Sequence, residues 1–369
     1  ATRVNENGLI EEVAANVPRL DYSDGDCPSL LLENSSTNLI TYSEDFSNAS
    51  WTKSSSSVTS GFLSPSGDLS AFKLVEDTST GGHNINKSIT VTAGAVSLSV
   101  RAKAGERDWI LLRDTQSNSG RYFDLTNGVV GSVQGTTPLS SSVKPLTGGW
   151  YDISITVTAP ATTTSAYVYV TNADATLSHT GDGTSGVYIY GAQVEEKSYA
   201  TSYIKTVGTA QTRVADTATG SGSSTVINSS EGVLYAEISA LANDGTNRFI
   251  SLTDGSNDNR VLFGYRAISN QVFARIEGNN SASVDLTTVL SDTKINAKIA
   301  ISYDSSYNYK MFVNGISADS GVGTDSIIGL DRLDFTNAIG TENFYGNVKD
   351  VRVYTTALSD EELATLTTI

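Results

Sequence analysis

Along short stretches throughout this chain, side chains alternate between aliphatic and polar or aromatic, and that period of two commits most of it to β-structure. The clearest case is Val187-Tyr188-Ile189-Tyr190, fed by the turn-forming run Gly181-Asp182-Gly183-Thr184-Ser185-Gly186. Val187 and Ile189 fall on one face of such a strand, and Tyr188 and Tyr190 on the other. Over 96–102, Val96, Leu98, Val100 and Ala102 alternate with Ser97, Ser99 and Arg101; Ala166, Val168 and Val170 alternate with Tyr167 and Tyr169. Trp109-Ile110-Leu111-Leu112-Arg113, Tyr122-Phe123-Asp124-Leu125 and residues 150–157 complete a set of at least six strands, spaced as in a sandwich. The aliphatic faces make the core. A tyrosine face is either buried under another segment or offered to a ligand.

Residues 207–224 form a seam of Gly, Ser, Thr and Ala, after which a second strand set begins. It runs through 232–238, 248–252, 261–265, 272–276 and 297–303. A hairpin over 309–315 with an Asn314-Gly315 turn follows, and the last strand lies within 344–354. Ser359-Asp360-Glu361-Glu362 before Leu363 and Leu366 spells a capping box and predicts one helix. At the other end, Pro18 and Pro28 interrupt any regular element over 1–37. The expected fold is all-β: two tandem antiparallel jelly-roll β-sandwiches preceded by an extended N-terminal arm, with bounds 1–37, 38–206 and 207–369. The arm carries Leu9, Ile10, Val13, Val17, Leu20 and Leu30-Leu31-Leu32, too apolar for a free tail. Docking on a neighbouring subunit is expected, making a homo-oligomer, a trimer being one such form, and docking within the chain onto the first sandwich is the competing account.

A length of 369 residues suits two such domains, and a net charge of −16 repels phosphate backbones and anionic lipid. Nucleic acid is therefore not an expected partner. No apolar run approaches the roughly 20 residues of a membrane-spanning helix, so membrane insertion is not expected. Cys27 is the single cysteine and is expected as a small buried hydrophobe. With one methionine, Met311, and Ala1 at the start, the chain reads as a mature product or a fragment.

Catalytic chemistry has little to draw on. His83 and His179 are the two histidines, far apart in sequence and in loop-like settings. No nucleophile elbow, phosphate loop or zinc-protease motif occurs. With 40 acidic residues, pairs such as Glu195/Glu196 and Glu361/Glu362 arise by chance, so an enzyme is not expected. The run Asp254-Gly255-Ser256-Asn257-Asp258-Asn259 gathers hard oxygen ligands, making Asp254 and Asp258 the metal candidates. A hairpin loop of solvated acids is expected there, with structural calcium the alternative and no other cofactor. Sugar rings stack on aromatics while Arg and Asn take their hydroxyls. Trp109, Arg113, Arg101, Tyr122, Tyr167, Tyr169, Tyr188 and Tyr190 are thus the candidate glycan-binding residues, the four strand tyrosines being expected on one face. Packing of that face against the arm, another domain or another subunit is the competing reading. Trp51 and Trp150 are expected in the core.

The second domain resembles the concanavalin A-like, laminin-G-like jelly roll. The resemblance rests on Tyr303-Asp304, on the 309–315 hairpin, and on the ending 346–354 followed by Ala357-Leu358-Ser359-Asp360-Glu361-Glu362-Leu363. The first resembles carbohydrate-binding modules through Asn38-Leu39-Ile40 with Phe46 and Trp51, through Gly149-Trp150-Tyr151, and through 181–204. Thr2-Arg3-Val4-Asn5 with Val17-Pro18-Arg19-Leu20-Asp21-Tyr22 resembles a connector of phage tail and virion proteins. Many such sugar-binding modules place an Asp pair for structural calcium on the last strand, where this chain has Tyr188-Ile189-Tyr190-Gly191. The compact acidic motif of laminin-G-like glycosidases and lyases is also missing. The resemblance thus implies a non-catalytic glycan-binding or adhesion protein of a phage tail fibre or a secreted bacterial surface, whose partner is a cell-surface polysaccharide. It would sit at the virion tail or outside the cell. A structural assembly protein is the alternative, and a polysaccharide lyase or glycosidase the third reading.

Overall fold

The structure is a computed structural model that describes residues 1–160, 162–279 and 283–369. The chain divides into two compact units, Ala1–Pro28 with Ser35–Val214, and Ser29–Asn34 with Ala215–Ile369. Each is an antiparallel β-sandwich, and among the described residues the one α-helix lies at the C-terminus.

The first unit is built on twelve strands: β1 (Thr52–Ser54), β2 (Ser56–Phe62), β3 (Ala71–Glu76), β4 (His83–Val91), β5 (Gly94–Ala104), β6 (Trp109–Asp114), β7 (Ser119–Asp124), β8 (Val129–Gly135), β9 (Ser140–Pro145), β10 (Trp150–Ala159), β11 (Thr162–Thr171) and β12 (Gly186–Glu195). One sheet runs β8-β7-β6-β11-β4-β1 and the other β9-β10-β5-β12-β3-β2. Their inner faces carry the aliphatics that the alternation picks out: Val96, Leu98 and Val100 from β5, Ile110 and Leu112 from β6, Val168 and Val170 from β11, Val187 and Ile189 from β12. Trp51 closes this core, and Trp150 is buried in a smaller cluster outside it.

The second unit has β13 (Gly232–Ala240), β14 (Arg248–Thr253), β15 (Arg260–Tyr265), β16 (Gln271–Glu277), β17 (Val284–Val289), β18 (Ala297–Tyr303), β19 (Asn308–Val313), β20 (Ile316–Val322), β21 (Arg332–Asp334) and β22 (Gly346–Tyr354), then α1 (Asp360–Thr367). One sheet runs β17-β16-β15-β14-β21. The other runs β20-β19-β18-β13-β22 and is extended by Ser29–Leu32, whose Leu30, Leu31 and Leu32 pair with Val348, Asn347 and Gly346. At the hairpin between β19 and β20, Asn314 and Gly315 take φ of 51° and 81°, the left-handed pair that an Asn-Gly turn supplies. The expected capping box opens α1: the Ser359 hydroxyl accepts from the Glu362 N–H, and the Glu362 carboxylate accepts from the Ser359 N–H at 2.8 Å.

One expectation is decided in part and one is corrected. Of the two accounts of the first 37 residues, docking within the chain holds for several of their apolar side chains. Ile10 is buried with Ala71, Trp150, Tyr190 and Tyr203 in the first unit, and Leu32 enters the core of the second. Thr2 Oγ1 donates to Tyr203 O at 2.7 Å, fastening the N-terminus in place. Cys27, expected buried, is exposed in the polar turn after Asp24 and Asp26.

Candidate functional site

Parity on β6, β7 and β11 decides what faces outward. With Ile110, Leu112, Val168 and Val170 committed to the core, Trp109, Leu111, Arg113, Tyr167 and Tyr169 point to the other side. Register then aligns them: Leu111 stands between Tyr122 and Tyr169, Arg113 between Gly120 and Tyr167, and Trp109 between Asp124 and Thr171. The Tyr167 and Tyr169 rings stack at 5.5 Å with 14° between their planes. On the next strand Asn84 and Asn86 face Tyr169 and Tyr167, joined by an Asn86 Nδ2 to Asn84 Oδ1 bond of 2.9 Å.

Small residues make the room. A Cβ at Gly131 would lie 2.5 Å from the Trp109 ring, and one at Gly120 would lie 3.0 Å from Arg113 Cγ. The Tyr122 hydroxyl donates to Gln134 Oε1 at 3.0 Å, and Arg113 Nη2 donates to Asn118 Oδ1 at 2.7 Å. Burial raises the Tyr169 and Tyr122 hydroxyls above their ordinary pKa; the Arg113 charge opposes the shift in both, and Asp174 adds to it at Tyr122. Both therefore stay protonated. Tyr122 and Tyr169 are buried, while Trp109, Arg113 and Tyr167 keep part of their surface in solvent. The result is a firm apolar floor with a half-buried Trp–Arg–Tyr edge beside two asparagines. Such a face can stack on a sugar ring and bond its hydroxyls.

The remaining candidates lie elsewhere, which corrects the expectation of a single tyrosine face. β11 and β12 belong to opposite sheets, so their outward residues point away from a common core in different directions. Tyr190 donates to Glu44 Oε1 at 2.8 Å, and Tyr203 donates to the same oxygen at 3.0 Å. Arg101 lies 4.9 Å over the Tyr203 ring, donates to Gly191 O at 2.9 Å and pairs with Asp152 at 2.8 Å. Tyr188 packs on Phe62, ring centroids 4.9 Å apart. Arg101 and Tyr190 are thus spent on packing segments 1–12 and 199–206 against the sheet.

Asp254 holds its own turn. One carboxylate oxygen accepts from Ser256 N at 2.8 Å and the other from Asn259 Nδ2 at 3.1 Å, while Asp258 is exposed. Among the described residues no group of three or more His, Cys, Asp or Glu is placed to hold a metal ion.

Sequence reasoning missed one polar cluster. His83 and His179, 96 positions apart, approach to 4.6 Å between ring centroids. His179 Nε2 lies 2.8 Å from Glu76 Oε2, and Arg107 and the Asp182 N–H also bond this carboxylate. Burial alone would raise the Glu76 pKa, but these bonds outweigh it and hold it below the usual carboxylate value. Both histidines and Glu76 are buried, and Glu76 closes β3 while His83 opens β4 rather than lying in the expected loop, so the cluster ties strand ends together rather than facing a substrate.

Residues 223–364 match the family model of the concanavalin A-like lectin/glucanases superfamily. The match is confined to the second unit, where the resemblance from sequence had placed it. No curated protein matches the chain. Solved structures with some similarity include the CBM40 of the Ruminococcus gnavus IT-sialidase bound to alpha2,6 sialyllactose, at 19% identity, covering 41% of this chain and 94% of that one, TM-score 0.33. Others are the SAP-like pentraxin from Limulus polyphemus (12%, 40% and 73%, TM-score 0.33) and the botulinum neurotoxin serotype G binding domain (17%, 43% and 42%, TM-score 0.33).

Proposed function

We propose that this is a non-catalytic glycan-binding protein that uses the outer face of β6, β7 and β11, and that it serves adhesion to cell-surface polysaccharide on a phage tail fibre or a secreted bacterial surface. The observation that carries the reading is the stacked Tyr167–Tyr169 pair beside Trp109 and Arg113 on one preorganised, partly solvent-facing sheet. A rigid aromatic platform loses little side-chain entropy on binding, and its flat rings match the C–H faces of sugars. Two carboxylates beside this face, Asp124 opposite Trp109 and Asp174 against Gly131, favour the non-catalytic reading. Asp124 is held below its usual pKa, burial being outweighed by bonds from Asn127 and Thr126, whereas a general acid needs a raised value. Asp174 is engaged by Ser132 through both backbone and hydroxyl.

The test is a glycan array probed with the parent chain and with Trp109→Ala and Arg113→Ala. The parent should bind at least one polysaccharide, and each variant should lose roughly tenfold or more in affinity, the scale of a central aromatic or Arg anchor. Binding that survives both substitutions would place the site elsewhere, and release of reducing ends or unsaturated uronate would make the protein an enzyme.

A further inference from the structure

The second unit contains a cleft of about 740 Å³ on the outer face of β13 and β22, roofed by α1. Strand parity builds its floor. With Leu234, Ala236 and Ile238 in the core, Tyr235 and Glu237 face outward; they are aligned with Arg352 and Asp350 on β22, and Glu237 also with Lys298 on β18. Leu358 and Leu366 form an apolar wall, and Glu361 reaches in from the helix.

The cations here are already engaged and two of the anions are not. Arg352 pairs with Asp350 at 2.6 Å and lies 5.6 Å over the Tyr235 ring; Lys298 Nζ donates to Thr368 O at 2.8 Å. Glu362 serves the helix cap. Glu237 and Glu361, by contrast, have no ion pair or side-chain hydrogen bond among the described residues. The Tyr235 side chain is 2% exposed, yet its hydroxyl, which borders the cleft, has no hydrogen-bond partner among them either. Burial, then Asp350 and Glu237, push that phenol up to about 12, so at neutral pH it carries its proton and can both donate and accept.

We propose that this cleft binds a hydroxylated organic ammonium ion of monosaccharide size, an amino sugar with a free amine. The ammonium sits between Glu237 and Glu361, a ring hydroxyl meets Tyr235, and the ring's C–H face rests on Leu358 and Leu366. The volume lies within the range of small-molecule pockets. Four lining carboxylates against two cations give the cleft a net charge near −2, which repels anionic sugars and favours a cation. This site is separate from the aromatic face of the first unit and stands or falls independently of it.

The experiment is an NMR titration of the full chain with glucosamine, with N-acetylglucosamine and putrescine in parallel. Glucosamine should move the resonances of Tyr235 and Arg352 saturably, and N-acetylglucosamine, lacking the charge, should not. Glu237→Gln should weaken glucosamine by about tenfold, the loss expected for a hydrogen bond to a charged group. Glu361→Gln, at the helix side of the cleft, provides the same test without risk to the sheet, and the Tyr235 and Arg352 resonances distinguish binding here from binding on the aromatic face of the first unit. Equal binding of N-acetylglucosamine, or parent-like affinity in both Gln variants with unchanged melting, overturns the proposal. Putrescine binding as tightly as glucosamine overturns the assignment to a hydroxylated ligand.

Discussion

Single residues show how this chain handles buried charge. Glu195 is fully enclosed, its carboxylate accepting from Ser36 Oγ at 2.6 Å, Gln193 Nε2 at 2.7 Å and Thr201 N at 2.9 Å. Burial nevertheless dominates and raises its pKa. Between the unfolded value near 4.5 and the raised folded value, the native state binds the proton that the unfolded chain has lost. That contribution is complete below the unfolded pKa and is lost as pH rises through the folded one. Glu195→Gln should therefore flatten the fall in stability above about pH 4.5, read from denaturant unfolding of both proteins across a pH series; parallel curves would refute it. Glu76 is the opposite case, held low by Arg107 and His179. Its contribution is present above its unfolded value and lost as pH falls through the folded one. Removing it in Glu76→Ala strands three donors, the partly exposed Arg107, His179 and the Asp182 N–H, and should cost about 3 kcal/mol of unfolding free energy; a loss under about 1 kcal/mol would mean the cluster is only a surface pair. The sequence analysis picked out both histidines but neither Glu76 nor their meeting, because the tertiary fold brings 76, 83 and 179 together and no local spacing records it.

At the scale of elements, strands were legible where aliphatics recur every second residue, as in β5, β11, β12 and β13, because burial on one face leaves that trace. Less visible were β2 (SSVTSGF), β9 (SSSVKP), β8 and β20, which lie at sheet edges and are rich in Ser, Gly or Thr. Backbone ladders hold them, and little side-chain burial marks them. Parity also fixes a face only within one strand. It put Tyr167 with Tyr169 and Tyr188 with Tyr190, but not the two pairs on opposite sheets. The capping box, a purely local signal, was fully readable, and Ser359→Ala should destabilise the second unit by about 1 kcal/mol, seen as an earlier unfolding transition; an unchanged transition would mean that packing of Leu363 alone holds α1. In the Asp254 turn the carboxylate oxygens already serve Ser256 and Asn259, so adding calcium or a chelator should leave the unfolding temperature unchanged. A calcium-dependent rise would restore Asp254 and Asp258 as ligands.

At the scale of the molecule, the path of the chain matters most. It starts in the first unit, lends Ser29–Asn34 to the second, returns to the first through Val214 and finishes in the second. The segment 1–37 has the apolar content of a docking arm, and that much was plain from the sequence. Where it docks was not, because pairing of Leu30–Leu32 with Val348–Gly346 joins positions more than 300 residues apart and depends on the final register of β22. A chain beginning at Ser35 tests the arrangement. It leaves Tyr190 and Tyr203 without Ile10, and β22 without its outer neighbour and the buried Leu31 and Leu32. Each large apolar side chain so exposed or removed is worth about 1.5–3 kcal/mol, so the unfolding transitions of both units should move to lower temperature. Light scattering should meanwhile give the mass of the same assembly state as the full chain. A fall in assembly state with both transitions unmoved would show instead that the segment clasps a neighbouring subunit, and that its burial within its own chain is not what it contributes.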